Sequence, residues 1–171
     1  GALVFPRELT LHNGKLIQNP VREISELRHE EQNINLDITS AHMISHGVAQ
    51  EIKLNVDMKN TGRVNIYLCA NNTNKKYTCL TLDRIEQQII LDRTHSGMTL
   101  NVENGNIRKR HLGIEESVQL DILIDRSSVE IFVNNGELVF TARIFPDEGQ
   151  DNVFIEVVNG ITKIVGKKWS L

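Results

Sequence analysis

The 171-residue sequence is poor in cysteine, proline and tryptophan, and it has no surplus of positive charge. Each shortage excludes something. Two cysteines, Cys69 and Cys79, are too few for the disulfide scaffold of a small secreted domain, and they lack metal-ligand spacing. Folding the segment between them about Asn71-Asn72-Thr73-Asn74 sets Cys69 opposite Lys76, not opposite Cys79. Both are therefore expected as buried free thiols, which favours a reducing compartment. A net charge of -3 offers no basic stripe for nucleic acid and no polybasic patch for an anionic membrane. No apolar run approaches the roughly 20 residues of a membrane helix. The opening Gly1-Ala2-Leu3-Val4-Phe5-Pro6 lacks the charged start of a signal peptide. A phosphate-cradling glycine loop is also missing. With aromatics at 5%, material for a sugar-stacking platform is thin, and Trp169 is expected to pack on the last strand as core.

What is present is alternation. Ile52, Leu54, Val56 and Met58 alternate with Glu51, Lys53, Asn55 and Asp57. Val64, Ile66 and Leu68 follow the same rule, as do Val118, Leu120, Ile122 and Ile124, then Leu138, Phe140, Ala142 and Ile144. A period of two places one set on a buried sheet face and the other toward water. Runs apolar on both faces, such as Val153-Phe154-Ile155-Glu156-Val157-Val158, suit more deeply buried strands. Asn-Gly occurs at Asn13-Gly14, Asn104-Gly105, Asn135-Gly136 and Asn159-Gly160, each between two such runs. This dipeptide supplies the positive φ angles of a type I′ turn. Roughly a dozen strands at the spacing of a sandwich follow. Two segments with some helical character, Pro20 to Glu31 and Glu86 to Leu91, read better as strand or loop in this context. With no βαβ alternation, the expected fold is all-β, two antiparallel sheets packed face to face, in one domain over residues 1–171.

Few constellations suggest chemistry. His42 and His46 would share a helix face, but here they flank Ser45 in a loop-like stretch. Paired acids Glu30-Glu31, Glu115-Glu116 and Asp147-Glu148 point apart in a strand or turn and read as solvated surface. Asn71-Asn72-Thr73 fits a glycosylation sequon, a pattern common by chance. Ile90-Leu91-Asp92-Arg93-Thr94 is echoed by Leu123-Ile124-Asp125-Arg126-Ser127. Each is expected to be a corner in which Asp caps backbone N–H groups and Arg pairs with a carboxylate. No metal or cofactor site is expected.

Several of these stretches, in order, resemble one family. Pro6-Arg7-Glu8-Leu9-Thr10-Leu11 and Gly14-Lys15-Leu16-Ile17-Gln18-Asn19-Pro20-Val21 are similar to the start of the C-terminal sandwich of glycoside hydrolase family 32. Leu91-Asp92-Arg93-Thr94-His95-Ser96-Gly97 continues the match. Ile124-Asp125-Arg126-Ser127-Ser128-Val129-Glu130-Ile131-Phe132-Val133-Asn134-Asn135-Gly136-Glu137 is its most specific part. Thr141-Ala142-Arg143-Ile144-Phe145-Pro146 and Trp169-Ser170-Leu171 follow. Asn135 stands where the family commonly has Asp, and Ala142 where it has Ser.

The resemblance implies a jelly-roll, concanavalin-like sandwich beside an N-terminal five-bladed propeller that cleaves β-fructofuranosides with retention. The propeller's carboxylate motifs contain Asp-Pro and Glu-Cys pairs. This sequence has no Asp-Pro, and Leu68 and Thr78 precede its cysteines. No catalytic residue carries over, so the expected role is a non-catalytic module that stabilises the propeller and contributes homo-oligomer contacts. Arg7 and Glu8 would tie the modules together. Asp125 and Ser127 would fix a turn, and Glu130 would pair with Arg126 or Arg143. A second expectation is a lectin-like module for fructosides. The parent enzyme most resembles a bacterial, cytoplasmic sucrose-6-phosphate hydrolase.

Overall fold

The computed structural model describes residues 3–71, 75–98, 105–114 and 116–171. Fourteen strands occur among them. A hairpin of β1 (Arg7–His12) and β2 (Lys15–Pro20) forms a two-stranded sheet of its own. After it come β3 (His29–Ile38), β4 (His42–His46), β5 (Gln50–Asp57), β6 (Thr61–Asn71), β7 (Lys76–Asp83) and β8 (Gln88–Asp92). The rest are β9 (Ile107–His111), β10 (Ser117–Asp125), β11 (Ser128–Val133), β12 (Leu138–Arg143), β13 (Asn152–Gly160) and β14 (Thr162–Ser170). Sheet I has the order β12-β11-β10-β5-β14-β3, and sheet II the order β4-β13-β6-β7-β8-β9. Neighbouring strands in both sheets run antiparallel. The expected sandwich is present.

The register explains the core. Ile52 pairs with Ile122, Ile122 with Ile131 and Ile131 with Phe140, which draws one apolar row across four strands of sheet I. Ile66, Leu80 and Leu91 form the matching row in sheet II. These side chains are buried and belong to one continuous core between the sheets. Burial of each large aliphatic side chain contributes about 1.5–3 kcal/mol.

The turns divide. Asn13 and Gly14 take φ of 49° and 76° between the paired His12 and Lys15, as a two-residue type I′ hairpin requires. Around Asn135, the loop between Val133 and Leu138 has four residues, and Asn134, Asn135 and Gly136 all have positive φ. Asn159-Gly160 is no hairpin: it turns the chain from sheet II into sheet I. Asn104 lies outside the described residues.

Of the two segments with some helical character, one changes. Arg22–Leu27 forms a short 3₁₀ helix rather than strand or loop. Its Ile24 is buried against Leu123 and Phe132, so tertiary burial decides the conformation. Glu86 to Leu91 is turn and strand, as expected: residues 86 and 87 form a turn before β8, with the Asp83 carboxylate accepting from the amides of Ile85 and Glu86 at 3.1 and 3.0 Å. Both cysteines are free; Cys69 is buried as expected, whereas Cys79 is half-buried. Cys79 faces Tyr67, and Lys76 faces Asn71 rather than Cys69, because a bulge with Cys69 at φ 48° interrupts β6. Burial pushes the Cys69 thiol up to about 12 and the Cys79 thiol up to about 11.

Candidate functional site

The outward face of sheet I departs from a solvated surface. Its register sets Glu51 opposite Leu123, Leu123 opposite Glu130 and Glu130 opposite Thr141. The next row sets Lys53 opposite Asp121, Asp121 opposite Phe132 and Phe132 opposite Val139. Glu51, Leu123, Glu130 and Phe132 are all buried. The N-terminal segment covers them. Ile24, Leu123 and Phe132 form a second small core, with Phe5, Val21, Val139 and Leu171 packed around it.

A clamp fixes this cover. Arg7 of β1 donates to the fully buried Glu130 Oε2 at 2.5 Å and to Thr141 Oγ1 at 2.6 Å. Glu130 Oε1 accepts the Phe5 amide at 2.7 Å. The Arg7 guanidinium lies 5.4 Å from the Phe132 ring centroid and also donates to Gln18 Oε1 at 3.0 Å. Glu130 therefore pairs with Arg7, not with Arg126 or Arg143: on the outward face of β11 it lies beneath the hairpin. Glu8 stays within the N-terminal segment, accepting from Arg22 Nε at 2.9 Å on the surface. Gly136 completes the seat. Its carbonyl accepts the Gln18 amide at 3.0 Å, and a Cβ there would lie 2.1 Å from Gln18 O.

Beside the clamp runs a charged ladder that the sequence reading did not single out. Arg28 donates to both oxygens of Glu51, at 2.6 and 2.8 Å, and its guanidinium lies 4.6 Å from the Trp169 ring centroid. Lys53 Nζ is 3.4 Å from Glu51 Oε1 and 3.2 Å from Asp121 Oδ2. Burial works to raise the Glu51 carboxyl, but Arg28 and Lys53 hold it below its usual range. For Asp121 burial wins over Lys53, the nearby Glu51 charge adds to it, and the carboxyl is pushed up to about 6. Among the described residues, Asp121 Oδ1 is buried without a hydrogen-bond partner. Trp169 is buried, as expected, and donates to Glu31 Oε2 at 3.0 Å. Between the N-terminal segment and β14, this face opens into a groove of about 350 Å³.

The echoed corners lie apart from this site. Asp92 Oδ1 accepts the Thr94 amide at 2.8 Å, and Asp125 Oδ1 accepts the Arg126 amide at 2.7 Å. Both aspartates cap turns. Arg93, however, pairs with no carboxylate among the described residues: it donates to the carbonyl of Arg143, while Arg108 of β9 donates to that of Thr141 at 3.3 Å. β12 is the edge of sheet I, and its outward carbonyls need partners. The two arginines supply them and blunt the edge. His42 and His46 lie on strand β4, not in a loop. Among the described residues no cluster of His, Cys, Asp and Glu could hold a metal ion, and no helix is long and apolar enough to cross a membrane.

Comparison with known proteins agrees with this architecture. The family model described as glycosyl hydrolases family 32 C terminal matches residues 22–167. A sucrose-6-phosphate hydrolase of Staphylococcus xylosus is 31% identical over 170 residues, covering 99% of this chain and 34% of the relative. A probable sucrose-6-phosphate hydrolase of Psychromonas ingrahamii is 34% identical over 146 residues, covering 85% and 25%. Among solved structures, the sucrose-6-phosphate hydrolase of Lactobacillus gasseri superposes with a TM-score of 0.84 at 28% identity, covering 96% of this chain and 33% of its own. The exo-inulinase of Aspergillus awamori gives 0.81 at 26%, covering 98% and 35%. The chain thus spans between a quarter and about a third of the length of these relatives.

Proposed function

Since the chain belongs to the C-terminal domain family of glycoside hydrolase family 32, we propose that it is the non-catalytic module of a longer β-fructofuranosidase and stabilises a catalytic domain upstream of it. One observation carries this reading. The β1–β2 register places Arg7, Leu9 and Leu11 on one face with Leu16 and Gln18. Arg7 and Gln18, at the base, are fastened to sheet I. Leu9, Leu11 and Leu16, toward the tip, are 62%, 77% and 54% exposed. An amphipathic hairpin with its apolar end in water is a surface awaiting a partner. The hairpin lies ahead of the matched residues 22–167, and the relatives carry about two-thirds of their length outside the matched region. These observations support an upstream domain as the occupant. The clamp then serves as a strut, transmitting the docked hairpin's position to the buried Glu130.

The relatives named as sucrose-6-phosphate hydrolases support sucrose or its 6-phosphate as the parent's substrate. The free thiols support a reducing compartment, the cytoplasm. The test replaces the matching third of the Staphylococcus xylosus relative with this chain, with and without Leu9→Ser, Leu11→Ser and Leu16→Ser together. The triple variant is expected to lower the melting temperature of the chimera's catalytic part by several degrees and to leave the isolated chain's unchanged. Equal melting of the two chimeras would count against the docking role.

A further inference from the structure

We propose that the groove on the outer face of sheet I is a binding site for a neutral saccharide. Its volume of about 350 Å³ lies at the small end of the roughly 300–1,000 Å³ of ligand sites, which suits one or two sugar rings. Four carboxamides line it: Asn19 and Asn135 on the side of the hairpin, Asn55 and Gln119 from β5 and β10. Planar amides both donate and accept, matching hydroxyl groups that do the same. Trp169 supplies an indole on the opposite side, from β14.

Asp121, its side chain 18% exposed, adds a carboxylate to the same lining. The charges select the class of ligand. Lys53 is answered by Glu51 and Asp121, and Lys167 by Glu31 at 2.6 Å. No cation in the groove is left over for a phosphate, so the site fits the uncharged sugar rather than a sugar phosphate. The inference does not rest on the docking reading, since it concerns this chain alone.

The chain has one tryptophan, and it lies in the groove, so intrinsic fluorescence reports occupancy directly. Titration with sucrose, 1-kestose, maltose and sucrose 6-phosphate is expected to give saturable changes in the millimolar range for at least one neutral sugar, with calorimetry agreeing. The phosphorylated sugar should bind no more than about threefold tighter than sucrose. Joint replacement of Asn55→Ala and Gln119→Ala, both exposed, should weaken binding about tenfold while the circular dichroism and melting temperature stay unchanged. The proposal is overturned by no saturable change up to about 100 mM sugar, by unaltered affinity in the double variant, or by strong preference for the phosphate.

Discussion

Glu130→Gln tests the clamp most directly. The side chain is fully buried and accepts from two groups of the N-terminal segment, the Phe5 amide at 2.7 Å and Arg7 Nη2 at 2.5 Å. Glutamine preserves shape and one acceptor oxygen but removes the charge. Breaking a buried ion pair by removing one partner costs about 3–5 kcal/mol. Arg7 remains 18% exposed and keeps its bonds to Thr141 and Gln18, so a loss of about 2–3 kcal/mol is the working figure. That loss falls on docking of residues 3–28, because Glu130 holds that segment and the inter-sheet core lies on the other face. At 1.4 kcal/mol per factor of ten, undocking should rise about 30- to 140-fold. Hydrogen exchange read by mass spectrometry should show that increase in peptides covering residues 5–27, with β5 and β10 nearly unchanged. Arg7→Met combined with Glu130→Gln should recover part of the loss, since neither charge is then left alone. A uniform loss of protection across the sandwich, or none in the N-terminal segment, would refute the assignment of Arg7 and Glu130 as a local strut.

Asp121→Asn should stabilise the chain at neutral pH. The folded carboxyl is raised to about 6 from 3.8, so the folded state holds the proton more tightly and stability falls as pH rises from about 4 to 6; the gain of the order of 2 kcal/mol should vanish below pH 4 in urea melts. Gly136→Ala forces φ of 86° on an L side chain and drives its Cβ against Gln18 O, so it should cost more than about 1 kcal/mol and expose the Gln18 amide to exchange. Cys69 and Cys79, raised by burial to about 12 and 11, should react slowly with a disulfide reagent at pH 8 in the folded chain and fully in urea; rapid labelling of the folded chain would contradict their burial. Arg93→Ala uncovers the Arg143 carbonyl on the β12 edge and should raise self-association in light scattering, with little change in melting temperature.

The inward faces were legible in the sequence because a period of two needs only one buried side, and β5, β10 and β12 have it. Asn13-Gly14 was legible for the same local reason: two positive φ angles fit only a few residue pairs. The misreadings arise where a distant segment decides. Glu130 was visible as an outward acid on β11, yet its partner comes from 123 residues upstream, beyond any local rule. The bulge at Cys69 shifts a register that symmetric folding of the hairpin would set differently. Arg93 resembles Arg126 in its corner, but only Arg93 stands beside the open edge of β12.

A signal for the outer site was nevertheless present. On a strand with one wet face, outward positions should be polar, but Leu123 and Phe132 break that rule on neighbouring strands. Between Ile122 and Ile124, Leu123 makes a run apolar on both faces, and Phe132 does the same between Ile131 and Val133. Two such violations at adjacent register positions require a second layer, because leaving a leucine and a phenylalanine in water would forgo about 3–6 kcal/mol together. That layer is the segment carrying Phe5, Val21 and Ile24. By the same argument, Leu9, Leu11 and Leu16 break the rule on the hairpin, and the domain proposed to precede it would cover them. Each uncovered apolar face points upstream, from sandwich to N-terminal segment, and from the hairpin of that segment to the domain proposed to precede it.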